Sequence, residues 1–482
     1  MEENKSNFEH VEISTTDQDK RLMKNDTSLS DSTFLSTSSS VTNLTTVEFQ
    51  EKEDIQLIEE KTSITAWIET IVCMGVSTSC AFMWTTGASS PNVMSQWMNV
   101  SLTQINWLSN ASAICNTVFS LLTAWAYERI GIKASIVLCA VINTVGCWIR
   151  CIAIILPIDK RYPVVMAGQF IASIGGPLIY NLAAKFVAVW FAPKDRGIAN
   201  TVLSVQLGMS LAPLLIPMLA PSIQDIPKML IIVASISTVF TIPTFFIPSK
   251  PKVPPSATAT LERTPFWQGV KEVVTNMQFW WIAIITSVSM GMVFSVSVLI
   301  MEAISPFGYT EQQAGICAAL IVFSGCFGGG MTGYWLGKSG QHFMLIKMFT
   351  PMVIFSYAAF IFLLIPDAFS VVIIACIING FCSYALFPVY LEVASEITYP
   401  VSESISSCVL WTLCSLTMVV FSLIIDALRA GPDASPPNNM NTSMIVVAVI
   451  MLVGNLPCLW IKGDLKRSKV DNENRNKFAP VA

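Results

Sequence analysis

The sequence predicts an all-α polytopic membrane protein, with twelve transmembrane helices in two six-helix, pseudo-symmetric bundles. Three observations lead there. Hydrophobic residues make up 53% of the 482 and charged residues 12%, about half the charged share of an ordinary soluble domain. Uncharged runs recur along the chain, among them Thr70 to Tyr127, Tyr162 to Ala184, Met277 to Met301, Ala368 to Leu391, Ser404 to Ile425 and Ala434 to Ile461. Roughly 20 apolar residues cross the hydrocarbon, so each run holds at least one span and the first holds two. Lastly, a long polar stretch near the middle of the chain divides the spans six and six.

The elements follow in order. Residues 1–62 are dominated by Ser, Thr, Asn, Asp and Glu and lack the apolar content for a core, so they are expected to form a disordered cytosolic tail. The charged start has no apolar region behind it, so no cleavable signal peptide is expected. Within the tail EDIQLI, with Glu53, Leu57 and Ile58, resembles an acidic dileucine signal that would engage sorting adaptors. The competing reading is a polar tail nearing its membrane anchor. The spans centre near residues 78, 115, 145, 173, 208, 238, 289, 325, 356, 381, 415 and 452. Backbone groups in lipid must be satisfied within the segment, so each span is a helix. The first bundle occupies 63–248 and the second 276–462. Between them lies a cytosolic loop, 249–275, that includes SKPKVPPSATATLERTP, and residues 463–482 form a basic cytosolic tail.

Orientation follows from Lys and Arg, which favour the cytosolic side. With the N-terminus inside, the cytosolic loops and C-tail hold Arg129, Lys133, Lys185, Lys194, Arg196, Lys250, Lys252, Arg263, Lys271, Lys338, Lys347 and the run from Lys462 to Lys477. The opposite loops hold Lys160, Arg161, Lys228 and Arg429. Both termini are therefore expected in the cytosol. The sequons Asn99-Val-Ser and Asn441-Thr-Ser then fall outside, where glycosylation acts, against a competing reading of chance.

The thirteen cysteines lie mostly inside spans, where they behave as small apolar residues, and they form no C-x-x-C pair. The two histidines, His10 and His342, lie in the tail and a loop. With no nucleophile motif, phosphate loop or dinucleotide fingerprint, the sequence argues against an enzyme, a metal site, a cofactor or a nucleic-acid partner. The partners expected are the lipid bilayer and a small molecule.

An internal repeat appears when WFAPKDRGIANTVLS (190–204) is set beside ITYPVSESISSCVLW (397–411), with Pro193 on Pro400. At that offset Lys185 falls opposite Glu392, and Arg196 opposite Glu403. The first half is basic where the second is acidic. With Glu396, and with Glu128 and Arg129 of YERIGIK (127–133), these charges read as a cytosolic gate that holds two rocking bundles shut. Solvated loop charges are the competing reading.

Twelve spans in two halves, the YERIGIK loop and the long central loop resemble the major facilitator superfamily. Within it INWLS (105–109), GCWIRC (146–151), AVWFAPK (188–194), VLSVQLG (202–208) and EITYPVSE (396–403) are similar to the feline leukaemia virus subgroup C receptor-related family, solute carrier family 49. The resemblance covers Ala66 to Lys469, and EITYP with the preceding glutamate is its most specific part. It implies the major facilitator fold and facilitated transport of small organic solutes, with choline and ethanolamine, haem, and pyridoxine-like compounds attributed to different members. It also implies a site with one aromatic residue in the first helix and one in the seventh. Here these are Trp84 in AFMWTTG and Phe294 in GMVFSVS. Two aromatic faces at one depth hold a cation by its attraction to the ring quadrupole. Packing or an interfacial aromatic belt is the alternative. Two positions depart from the choline-handling members. Phe294 lacks the tyrosine hydroxyl found there, and Gly176 in SIGGP stands where they carry glutamine. The glycine-proline pair resembles the lysosomal branch of the family, which places the chain in a vacuolar or lysosomal membrane or the plasma membrane.

Arg150 is the one basic residue well inside an apolar run, in the outer part of the third helix. Such a charge faces a cavity or a partner, receiving an anionic group, or it snorkels to the surface. Gln206 in the fifth helix offers hydrogen bonds to a polar solute or to another helix. Glu302 and Asp426 sit near outer helix ends and read as vestibule or surface charges, which leaves no carboxylate at mid-membrane to carry a proton. The reading is an alternating-access transporter, by facilitated diffusion, of a small organic solute, choline-like or another cationic amine metabolite. Haem export is the alternative substrate, and a receptor or nutrient sensor without flux is the alternative class.

Overall fold

The structure, a computed structural model, describes residues 62–461 apart from 193–194, 196–198, 201, 204–206, 252–264, 364–366, 432 and 438, together with residue 466. Glu53, Leu57, Ile58, Arg196 and Gln206 lie outside the described residues. A helix covers each of the twelve predicted centres. In chain order these are α1 (Ile64–Ser89), α2 (Leu102–Arg129), α3 (Ile132–Ile152), α4 (Ile158–Gly175), α5 (Leu207–Leu219), α6 (Ile226–Thr241), α7 (Met277–Ile304), α8 (Glu311–Ser339), α9 (His342–Leu363), α10 (Phe369–Ala385), α11 (Glu403–Ala427) and α12 (Asn441–Asn455). Short segments Pro177–Tyr180 and Leu182–Trp190 continue α4, and Phe387–Thr398 continues α10.

The starts are written in the sequence. Ser63 caps α1 by accepting from the Ala66 amide at 3.2 Å, and Ser101 with Gln104 and Thr310 with Gln313 form capping boxes at α2 and α8. The turn between α2 and α3 needs φ +85° at Gly131, a conformation open to glycine at no steric cost. One expectation differs from the structure. The loop 249–275 contains a helix, Phe266–Thr275, whose residues Phe266, Gly269 and Val273 are buried against the body while Trp267 is exposed.

Ten helices among the described residues are long and apolar enough to cross a membrane; α2 and α5 are not among them. Helix α5 is short in its described part. Helix α2 is long, but it carries Asn106, Asn110, Asn116 and Thr123 on one face. Each of these meets a polar group of the second half. Asn106 donates to Asp426 at 3.5 Å, Ser422 donates to Asn110 at 2.6 Å, Asn116 donates to Ser415, and Thr123 Oγ1 lies 3.2 Å from Cys408 Sγ. As residue numbers rise along α2 they fall along α11, so the two helices run antiparallel with a fixed register of polar rungs. Polar groups in hydrocarbon must find partners in the protein, and this face finds them across the interface.

A second seam joins α5 to α8. Its tightest point is Gly315, where a Cβ would collide with the Pro213 carbonyl. The end of the bundle where α1 begins is the proximal end, and the opposite end is the distal one.

Candidate functional site

A cavity lies between the halves, lined from the first by α1 and α5 and from the second by α7, α8, Tyr384 of α10 and α11. None of its described lining residues is charged. Trp84 and Phe294, the two positions implied by the family resemblance, both line it. Their rings are bridged rather than touching. Trp84 meets Tyr180 at 5.8 Å between ring centroids. Tyr180 stacks on Trp411 at 6.4 Å, and Trp411 stacks on Phe294 at 5.9 Å with planes 11° apart. Tyr384 adds an edge-on contact to Phe294 at 6.3 Å. Trp84 Nε1, Ser89 Oγ and Ser297 Oγ are buried at this cavity without a hydrogen-bond partner in the protein, so each is available to a solute.

The neighbours of Trp84 explain its placement. Arg150 Nη1 donates to the Met83 carbonyl at 3.2 Å, and Gln169 Nε2 reaches the Trp84 carbonyl at 3.5 Å and Ser112 Oγ at 3.0 Å. Two side chains, from α3 and α4, thus hold consecutive carbonyls of α1 at the site. Arg150 is 1% exposed, so it does not snorkel, and it does not line the cavity. It sits in the last turn of α3, where the carbonyl end of the helix dipole favours a cation. Its Nε and Nη2 have no protein partner.

Gly176 stands at the break between α4 and its continuation and does not line the cavity. A Cβ there would lie 3.3 Å from Tyr180 Cε2, so the missing side chain leaves room for the ring that bridges Trp84 and Trp411.

The charges expected to form a gate are distributed as follows. Lys185 lies on Leu182–Trp190, a segment that packs against α11, and Glu403 opens α11. Glu392 and Glu396 lie on Phe387–Thr398, with Glu396 buried. Glu128 and Arg129 are exposed at the end of α2. Asn99 and Asn441 are both exposed.

The distal end carries a network that the sequence reading did not assemble. Arg429 pairs with Glu302 and, at 2.6 Å, with Asp426, and Asn106 of the first half donates to both carboxylates, at 3.4 and 3.5 Å. Glu302 and Asp426 are thus neither vestibule nor surface charges but the acids of a cluster between the halves. At the same end the Asn92 amide, in the first turn of the helix Pro91–Met98, donates to Glu311 of α8 at 2.9 Å. A carboxylate from one half therefore caps a helix of the other. Glu69 in α1, 1% exposed, is a further buried carboxylate that the apolar-run reading passed over, because it sits just before the first uncharged run.

Comparison with known proteins agrees with this architecture. The family model of the Major Facilitator Superfamily matches residues 72–422. The choline/ethanolamine transporter FLVCR2 of Rattus norvegicus is 27% identical, over 87% of this chain and 78% of its own. Solute carrier family 49 member A3 of Danio rerio is 26% identical, over 82% and 86%. Among solved structures, a bacterial homologue of the human lysosomal transporter Spinster, inward-facing and unoccupied, superposes with a TM-score of 0.62 at 13% identity, over 86% of this chain and 99% of that one.

Proposed function

The chain belongs to the major facilitator superfamily and is a multi-pass membrane transporter, and from that premise we propose that its solute is a small organic cation, amine-like, held by aromatic faces. One observation carries the reading: the cavity presents Trp84, Phe294, Tyr384 and Trp411 and no charged described residue. A cation in such a site is held by ring quadrupoles at about 0.5 to 2 kcal/mol per ring, whereas an anion would find no counter-charge. Relatives named as choline/ethanolamine transporters point to the same class of solute. Phe294 offers a face without a hydroxyl, so hydrogen bonds to the solute fall to Trp84 Nε1, Ser89 and Ser297. Purified protein in vesicles should take up labelled choline or ethanolamine saturably. Saturable binding without uptake of any amine would identify a sensor instead, and absence of both would remove the cation site.

Facilitated diffusion is the mode that an uncharged cavity supports. The two sets of helices would alternate about the α2–α11 and α5–α8 seams. The excess of Lys and Arg on the proximal loops supports a cytosolic proximal end, and exposed Asn99 and Asn441 would then meet the glycosylating compartment.

The proximal charges are proposed as a latch, with Lys185 and Arg196 acting on Glu392, Glu396 or Glu403. A fully exposed pair contributes only about 0 to 1 kcal/mol, but Lys185, Glu392 and Glu403 are half-buried and Glu396 is buried, and about 1.4 kcal/mol already shifts a conformational ratio tenfold. Glu403→Lys should therefore slow initial transport, and adding Arg196→Glu should restore part of the loss. Effects that simply add, with proximal cysteine accessibility unchanged, would leave these residues as solvated charges.

A further inference from the structure

Proximal to the central cavity lies a second one, walled by Gly325, Cys326, Gly329 and Gly330 of α8 and by Phe387, Pro388 and Leu391 beyond α10. Five residues line both: Met209, Phe294, Val322, Tyr384 and Trp411. The two spaces therefore adjoin, one proximal to the other. Trp411 is the largest of the five, and it is the one whose ring contacts span the interface. It stacks on Tyr180 from the first half and on Phe294 from the second, while Phe387 meets it edge-on at 5.4 Å.

We propose that Trp411 is the proximal gate of the solute path, closing the central cavity against the α8–α10 vestibule and passing a cationic solute by leaving its stack. A tryptophan that served only as core packing would have protein on every side. Trp411 instead borders two adjoining cavities and is 7% exposed. Its three ring contacts are of the offset and edge-on kinds that aromatic pairs prefer, each modest alone, so the stack closes the path without locking it. The solute class suits the same geometry: a cation leaving the Trp84 side meets another ring face at Trp411 and never needs a charged ligand on the way. The vestibule has room for it. A Cβ at Gly330 would meet nothing within 4 Å, and beyond the shared Val322 the α8 wall consists of Gly325, Cys326, Gly329 and Gly330.

The proposal rests on the central cavity being the solute site, but its test needs no solute. Cys326 is a native thiol on the vestibule wall, and Ser297→Cys places a second thiol in the central cavity. An impermeant maleimide is applied to reconstituted protein from each side in turn, and labelling is read at each position by mass spectrometry. In protein carrying Ser297→Cys alone, Cys326 should label and the introduced thiol should be shielded. Adding Trp411→Ala should speed labelling of the introduced thiol from the proximal side at least tenfold, leaving Cys326 unchanged. Trp411→Phe should stay near the parent rate, because it keeps the stack. If Trp411→Ala does not fold, Trp411→Leu, which keeps bulk without an aromatic face, should give the same rise. Equal labelling of the introduced thiol in all variants, with Cys326 labelled normally, overturns the gate. A rise in labelling combined with no uptake of choline or ethanolamine by the wild-type protein would keep the gate and sink the solute assignment.

Discussion

Trp84→Ala should abolish saturable uptake while the protein still reaches its membrane, and Trp84→Phe should retain part of it. The loss combines three effects: a ring face worth about 0.5 to 2 kcal/mol to a cation, an indole N–H free to bond the solute, and the contact that holds Tyr180 at 5.8 Å. About 1.4 kcal/mol is tenfold in affinity, so removing all three should weaken binding by well over tenfold. Phe keeps a ring face and loses the N–H. The measurement is concentration-dependent uptake in vesicles together with surface or organelle labelling of the protein. Equal transport by wild type and Trp84→Ala would exclude an aromatic site at this position.

The second large effect is expected at the distal network. The Glu302 side chain is 3% exposed and Arg429 14%, so Arg429→Ala leaves a carboxylate enclosed beside Asp426 with its guanidinium partner gone. Breaking a buried pair by removing one member costs about 3 to 5 kcal/mol, far more than replacing both by neutral groups. The molecule can relieve that penalty by parting the halves at this end, where water reaches the acids. Arg429→Ala should therefore raise distal labelling of a thiol at Ser89→Cys by at least tenfold and slow the transport cycle. Combining it with Glu302→Gln should return labelling towards the parent level, because the more buried acid is then neutral and no longer repels Asp426. Distal labelling that is the same in all three proteins would show that these charges do not hold the end closed.

The helices over the twelve expected centres were legible because hydrocarbon demands long apolar runs, and the caps because Ser63, Ser101 and Thr310 sit where the runs begin. The helix Phe266–Thr275 was legible in principle from the spacing of Phe266, Gly269 and Val273, but its polar surroundings masked it. Trp411 was not legible as a gate. Trp125 and Trp148 lie in equally apolar runs and are 45% exposed, whereas Trp411 is 7% exposed. In a membrane protein both environments are apolar, so composition alone does not say which tryptophan faces lipid and which faces a cavity. The distal network failed for a different reason. Its members Asn106, Glu302, Asp426 and Arg429 are far apart in sequence, and only the α2–α11 register brings them together. Arg150 shows the same limit, since its partner is a backbone carbonyl, Met83, that carries no signal in a sequence.

That register also sets the mechanics of the molecule. The Asn116–Ser415 rung lies between the Asn106–Asp426 rung on the distal side and the Thr123–Cys408 rung on the proximal side. At about 1.5 Å per residue along α2, these lie at lever arms of about 15 Å and about 10 Å from the middle rung. A hydrogen bond tolerates only about 0.5 Å of stretch. If the middle rung acts as the fulcrum, a tilt of about 10° moves the distal rung about 2.6 Å and the proximal rung about 1.8 Å in the opposite sense. The longer arm parts first and furthest, so one small rotation is enough to separate the distal rungs while the centre stays joined. Neither helix has to slide, unwind or change register for the two ends to exchange roles.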